Sequence, residues 1–194
     1  YGVNIKRLDV PVDPYKAFKC DVPNLSTSMY FIVNDCFYDK VTSRMNLPEG
    51  VTVGSLKQYA ETYPDIVGRY YSQLADTSED GVTAINTMLA QDGLVVHVKR
   101  NVKVERTIQV INILRSDVDM MTNRRVLVIM EEGSEAKLLF CDHSADDRNF
   151  LTTQVVEAYV GENANLELDC LEETHIRNSR VSNVYVEQLA NSTF

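Results

Sequence analysis

Cys141, His143, Cys170 and His175 carry the soft sulfur and nitrogen donors that suit iron and iron-sulfur clusters, and they fall in two neighbouring strand-like stretches of the sequence. The competing reading is packed thiols and surface histidines, because a free cysteine behaves as a small hydrophobe; Cys20 and Cys36 have less still to recommend them as ligands. Asp142, Asp146 and Asp147 bear the oxygen ligands of a hard cation without the glycine and glutamate spacing of a calcium loop, so a solvated loop is expected. Glu131, Glu132 and Glu135 have the carboxylates that glycoside hydrolysis uses in pairs. Crowded with Gly133 and Ser134 into what reads as one turn, they are expected to face solvent. No GxxxxGK[ST] loop is present to cradle a nucleoside triphosphate and no GxSxG elbow to activate a serine, so neither ATP binding nor ATP hydrolysis is expected of this chain. No catalytic and no metal-ligating set is assigned.

The elements that would position these residues change character along the chain. Pro11, Pro14 and Pro23 predict an irregular lead-in, since each proline restricts itself and the residue before it. Tyr30–Val33 and Phe37–Val41 flank Asn34-Asp35, a pair that tolerates the left-handed backbone of a tight hairpin. A turn at Pro48-Glu49-Gly50 precedes Val51 and Val53. Ser55 then caps a short helix through Tyr63, and Pro64 opens another in which Ile66, Val67, Tyr70, Tyr71 and Leu74 recur at helical spacing. Tyr59, Tyr63, Tyr70 and Tyr71 are read as packing aromatics rather than a partner groove. A third helix is expected from a Ser78 cap to Gly93, burying Val82, Ile85, Met88 and Leu89.

From Leu94 the hydrophobic period becomes two. Leu94, Val96 and Val98 alternate with Val95, His97 and Lys99, and the same alternation returns at Val126–Met130 and Leu166–Cys170. His97, out of phase with its apolar neighbours, should lie on the outer side of its wall. Gly133–Leu138 lines up without gaps on Gly161–Leu166, and Lys99–Val104 is a looser copy that sets Lys99 on Gly133 and Lys103 on Lys137. Strands that recur with the same turn at a period of roughly 20–50 residues indicate the stacked coils of a β-solenoid. The ungapped alignment sets Cys141 on Asp169 and Cys170 on Asp142, so the two thiols have opposite parity and should face opposite sides of the wall. The expected fold is therefore mainly β, with a mixed α/β region over residues 1–92 and the first coils of a β-helix over 93–194.

The 194 residues are 44% apolar and 24% charged, an ordinary globular composition, and no apolar run approaches the ~20 residues that span a bilayer. A net charge of -9 opposes a general grip on nucleic acid, and the basic pairs Lys6-Arg7, Lys99-Arg100 and Arg124-Arg125 are too short to reverse it. Four cysteines without a CxxC predict reduced thiols in a cytoplasmic setting rather than a zinc knuckle or disulfide framework. Starting at Tyr1 and stopping after an alternating run that ends near Val186, the chain reads as a piece of something longer, with an open last coil expected to self-associate.

Several blocks in order resemble the SufB/SufD family of iron-sulfur cluster assembly proteins. The first runs from Val82 to Ile113 and includes Ala84-Ile85-Asn86-Thr87, Asp92-Gly93, Val96–Val102 and Thr107–Val110; Arg124–Ala136 and Val155–Leu166 follow as successive coil signatures. The hairpin Tyr30–Val41 is similar to a SufD feature, with Asn34-Asp35 where the family often has Asn-Gly. The resemblance, over residues 28 to 194, implies a right-handed parallel β-helix. It further implies a non-catalytic scaffold subunit of the SUF system, most like SufD, complexed with a SufB-like paralogue and the SufC ATPase. No cofactor is expected on this chain itself, and iron, flavin or an iron-sulfur cluster only in the full complex. Two rivals are a carbohydrate-active β-helix enzyme, which would need a long groove lined by carboxylates and basic residues along one solenoid face, and a structural adhesion module; the absence of a secretion signal from these 194 residues counts against both.

Overall fold

The structure, a computed structural model, describes residues 27–39 and 47–194. The proline-bearing lead-in, Lys6-Arg7, Cys20 and the Lys40-Val41 end of the expected hairpin lie outside these residues. In chain order the strands and helices are β1 (Thr27–Val33), β2 (Cys36–Phe37), β3 (Val51–Ser55), α1 (Leu56–Thr62), α2 (Pro64–Tyr70), α3 (Gly81–Leu89), β4 (Leu94–Val98), β5 (Thr107–Leu114), β6 (Met120–Met130), β7 (Glu135–Ser144), β8 (Phe150–Val160), β9 (Asn165–Glu173) and β10 (Asn178–Gln188).

From β4 onward successive strands alternate between two walls. One wall has the order β2-β1-β5-β7-β9 and the other β10-β8-β6-β4-β3. Every neighbour within a wall is parallel except the antiparallel pairs β1·β2 and β3·β4 that finish one end of each. The result is a β-solenoid of about three turns preceded by a short α/β region. Residues of one parity, among them Leu94, Val96, Ile108, Val128, Leu138, Phe140 and Val156, fill the space between the walls. The opposite parity is also buried over much of the length. Val95, Leu127, Ile129 and Tyr159 pack outward against α1, α2 and Leu74, while Phe31, Ile111, Ile113 and Cys141 form a third cluster on the other wall. A parallel wall covered on both faces explains the near-continuous apolar run Val126–Met130.

The coils do not share one length. Leu94 stands beside Val126, Val126 beside Val156 and Val156 beside Val184, so each coil is shorter than the one before it. The ungapped match of the two glycine turns is therefore out of register where it was found: between Met130 beside Val160 and Glu135 beside Asn165, Gly133 corresponds to Asn163, not to Gly161. The looser copy is corrected likewise, since Lys103 bridges Glu135 rather than Lys137. What repeats is a backbone state. Asn101, Gly133, Asn163 and Asn191 all have φ between 56° and 68°, each the third residue of a tight turn, and Asn and Gly are the residues that adopt that state at least cost. The first three amides bond across to the next coil, Asn101 N–H to Glu132 O at 2.9 Å, Gly133 N–H to Glu162 O at 2.8 Å and Asn163 N–H to Ala190 O at 3.0 Å.

The helical region follows its local signals with one exception. Ser55 accepts from the Gln58 amide and caps α1, and Pro64 opens α2. The hairpin forms about Asn34 (φ 59°), and β1 lies in parallel beside the distant β5, with Thr27 next to Thr107, as though it were the preceding coil. For α3 the cap is Asp80, not Ser78, because the Asp80 carboxylate receives the Val82 and Thr83 amides. Its apolar residues do not form the buried face: Ile85 is 41% and Met88 73% exposed, whereas Thr83 and Asn86 are buried. Asn86 Nδ2 donates to Arg124 O at 2.9 Å and to Thr153 O at 3.2 Å, and Thr83 shares a hydrogen bond with the Tyr185 hydroxyl at 2.9 Å. The wall presents buried polar groups there, and hydrogen bonds to them outweigh the helix's own apolar stripe. Beyond α3, a Cβ on Gly93 would lie 2.2 Å from Arg125 O, so glycine is what lets the chain pass. Next to it Asp92 accepts from Ser55 Oγ, Lys57 N and Phe37 N, joining the hairpin to α1.

Candidate functional site

The sulfur and nitrogen candidates are not brought together. Cys141 is fully buried in the outward-facing cluster with Phe31 and Ile111, beside Leu171. Cys170 lies beside Phe140, has the parity of the space between the walls, and is exposed. The correction of register, from Gly161 to Asn163, preserves parity, so the thiols do face opposite sides as expected. Partial burial pushes the Cys170 thiol up, with Arg180 acting against it. His143 Nδ1 lies 3.3 Å from Glu173, and burial lowers its pKa despite that carboxylate. His175 is exposed, its ring accepting from Arg177 N at 3.3 Å. Among the described residues no group of three or more His, Cys, Asp and Glu is placed to hold a metal ion.

The acidic residues also part company, against the expectation of one solvated loop. Asp142 is buried between the walls, ion-paired with Arg124 and, at 2.5 Å, with Arg180, while Arg124 Nε donates to Asn34 O at 3.1 Å. Asp146 binds Arg115 and the Ser116 amide at the coil corner. The space between the walls is thus apolar at one end of the strands and charged at the other.

A second buried ion pair lies on the outer side, beneath the helices. Arg125 and Glu157 meet at 2.5 Å, both essentially without solvent access. Glu157 also accepts the amides of Ser72 (2.8 Å), Leu74 (2.9 Å) and Ala75 (3.1 Å), and the Arg125 guanidinium lies 4.6 Å from the Tyr71 ring centre. Sequence reasoning treated Arg124-Arg125 only as a short basic pair. The usable signal was their place in a strand apolar on both faces: adjacent residues there point to opposite interiors, and each buried charge demands a partner.

The most developed arrangement of titratable groups is a relay on the same outer face. His97 has the outward parity expected of it, but α1 covers it. Its Nδ1 lies 2.6 Å from the Tyr59 hydroxyl and its Nε2 2.8 Å from Glu131 Oε1, while Glu131 Oε2 accepts the Arg100 amide at 3.0 Å. Glu131 is therefore engaged rather than simply solvent-facing. Burial alone would raise its pKa; the Arg100 amide and His97 outweigh that and hold it below the ordinary carboxylate range. An ionised carboxylate only accepts, so Nε2 carries a proton toward Glu131, and in the neutral imidazole Nδ1 is then the acceptor for the Tyr59 hydroxyl. Glu131 opens onto a groove of about 460 Å³ between α2 and the coil corner, lined also by Arg69, Arg100, Glu132, Glu162 and Glu187. Glu132 pairs with Arg100 there and Glu135 with Lys103. Three of the four tyrosines pack as read, Tyr59 buried and Tyr70 and Tyr71 half-buried against the same cluster, while Tyr63 is 48% exposed; Tyr159 donates to Tyr70 O at 2.6 Å.

Two family models match the sequence: the SufBD protein N-terminal region over residues 1–110, and the SufBD core domain of the SUF system of FeS cluster assembly over residues 112–194. The chain belongs to the SufBD family. An iron-sulfur cluster assembly SufBD family protein of Arabidopsis thaliana is 26% identical over 167 residues, 83% of this chain and 33% of its own length. One from Synechocystis is 28% identical over 140 residues, covering 69% and 29%. One from Pyrococcus horikoshii is 26% identical over 125 residues, covering 64% and 28%. The matched region spans about a third of these relatives or less. The junction of the two family regions falls within β5. Among the described residues no helix is long and apolar enough to cross a membrane.

Proposed function

We propose that this SufBD chain is a non-catalytic scaffold, SufD-like rather than SufB-like, that supports iron-sulfur cluster assembly in the cytoplasm together with a SufB-like paralogue and the SufC ATPase. The observation that carries the reading is the joined match to both family regions on a solenoid whose buried charges are committed internally: Glu157 receives four donors and Asp142 two guanidinium groups. Groups so engaged stiffen the walls and are not free to act on a substrate. The lack of a phosphate-cradling glycine loop supports assigning ATP hydrolysis to a partner. The hairpin about Asn34 supports the SufD-like choice. Any iron, flavin or cluster would be held by the complete complex.

The test is affinity capture of the full-length protein from its own cells. An ATPase and a larger paralogue should co-purify in fixed proportion, and calorimetry should show no saturable nucleotide binding by the isolated subunit. Recovery without either partner, or ATP binding abolished by substitutions in this chain, would overturn the assignment.

A further inference from the structure

Scaffolding gives no role to the buried relay Tyr59–His97–Glu131. Its three members come from α1, from β4 and from the turn after β6, yet they align phenol, imidazole and carboxylate through contacts of 2.6 and 2.8 Å. Those distances are within the reach needed for proton transfer between heavy atoms. Tyr59 sits among Leu56, Val95, Leu127 and Ile129, and burial, followed by Tyr63 and Glu131, raises its pKa. The phenol therefore stays protonated, with an imidazole nitrogen as its hydrogen-bonded acceptor. Tyr63, 48% exposed, lies with its ring 4.8 Å from that of Tyr59 and leads from the relay to the surface.

We propose that Tyr59 is a redox-active tyrosine, a proton-coupled one-electron donor reached from the surface through Tyr63. A peroxyl radical takes one electron at the exposed Tyr63 and becomes the peroxide anion; the Tyr63 hydroxyl proton shifts to surface water and returns as the vacancy passes to Tyr59. There the O–H bond breaks: the electron moves outward to refill Tyr63, and the proton goes to His97 Nδ1. A neutral tyrosyl radical and an imidazolium remain, the latter facing the Glu131 carboxylate through its Nε2–H. A one-electron reductant of the ascorbate class reverses the step, with the proton returning from Nδ1. Among the described residues no base is hydrogen-bonded to the Tyr63 hydroxyl, which makes Tyr59 the lower-energy resting place of the vacancy. His97 is the proton acceptor of this transfer, and Glu131, acting through its ring, is the positioning residue.

Flash oxidation of the full-length protein with photogenerated tris(bipyridyl)ruthenium(III), followed by transient absorption and electron paramagnetic resonance, tests this. The wild type should form a tyrosyl radical in a phase slowed in heavy water. Tyr59→Phe should slow that phase at least about tenfold and remove its radical signal. Glu131→Gln keeps an acceptor oxygen but removes the charge facing the imidazolium, and should slow the phase while circular dichroism stays that of the folded protein. Oxidation of either folded variant at the wild-type rate, or a wild-type phase unaffected by heavy water, would overturn the proposal. Should Tyr59→Phe fail to fold, Glu131→Gln decides alone.

Discussion

Replacing Glu157 with Gln alters a single functional group and leaves the shape almost unchanged, which makes it the sharpest test of how the helical region is held to the solenoid. The carboxylate receives Arg125, which like Glu157 itself has no access to water, together with the buried Ala75 amide and the part-buried amides of Ser72 and Leu74. A glutamine presents one acceptor oxygen and a donor NH₂, so at least one of the four donors then faces another donor, and the Arg125 charge remains buried without a counter-charge. Breaking a buried pair by removing one partner costs about 3–5 kcal/mol. That is a large share of the ~5–15 kcal/mol that holds a typical domain folded. The common remedy of replacing both charges with apolar groups should not work here. Arg125→Met with Glu157→Leu relieves the charge but takes the acceptor from the amides of Ser72, Leu74 and Ala75, at about 1–3 kcal/mol for the fully buried Ala75 amide. Urea unfolding of the full-length protein gives the stability, and native-state hydrogen exchange gives the location: those three amides should lose protection first. Glu157→Gln within about 1 kcal/mol of wild type, with their protection unchanged, would refute the reasoning.

Two further outcomes follow from particular side chains. Burial sets the folded pKa of His143 below its ordinary value of 6.5, so the unfolded chain binds more protons between the two values. Stability should be level above about pH 6.5, fall as pH drops below it, and level again under the folded pKa, and His143→Gln should remove that slope from a series of urea midpoints. On α3, Asn86→Ala should be destabilising, since Arg124 O and Thr153 lose their donor, while Met88→Lys on the exposed face should change stability by no more than about 0.5 kcal/mol. Thermal melts of the two variants compare them directly, and equal losses would mean the helix is docked through its other face.

Local signals were legible where the answer is local. Ser55 and Pro64 mark two helix starts because capping and proline geometry act within one turn, and the shift to period two at Leu94 announces strands because pleating alone sets that period. The solenoid was readable from its repeat, and the parity of Cys141 against Cys170 survived the error that set Gly133 on Gly161. The register itself was not readable. Coils that shorten from one to the next share a left-handed corner that Asn101, Gly133, Asn163 and Asn191 satisfy equally well, so matching glycine to glycine misplaced the turn.

The candidate site lay furthest from what sequence can show. Tyr59, His97 and Glu131 are separated by 38 and 34 positions, and nothing local to any one of them marks the other two as partners. The buried pairs and the face of α3 share that cause: Asp142 and Glu157 became internal ligands, and Thr83 and Asn86 turned inward, because the walls beneath offered guanidinium groups and carbonyls that water no longer reached. By itself the sequence determined the kind of chain, a stack of strand coils preceded by short helices, through periodicities and caps each complete within a few residues. Only the tertiary structure decided which polar groups face one another, because the cost of leaving a buried charge or amide unpaired exists only once the walls have closed over it.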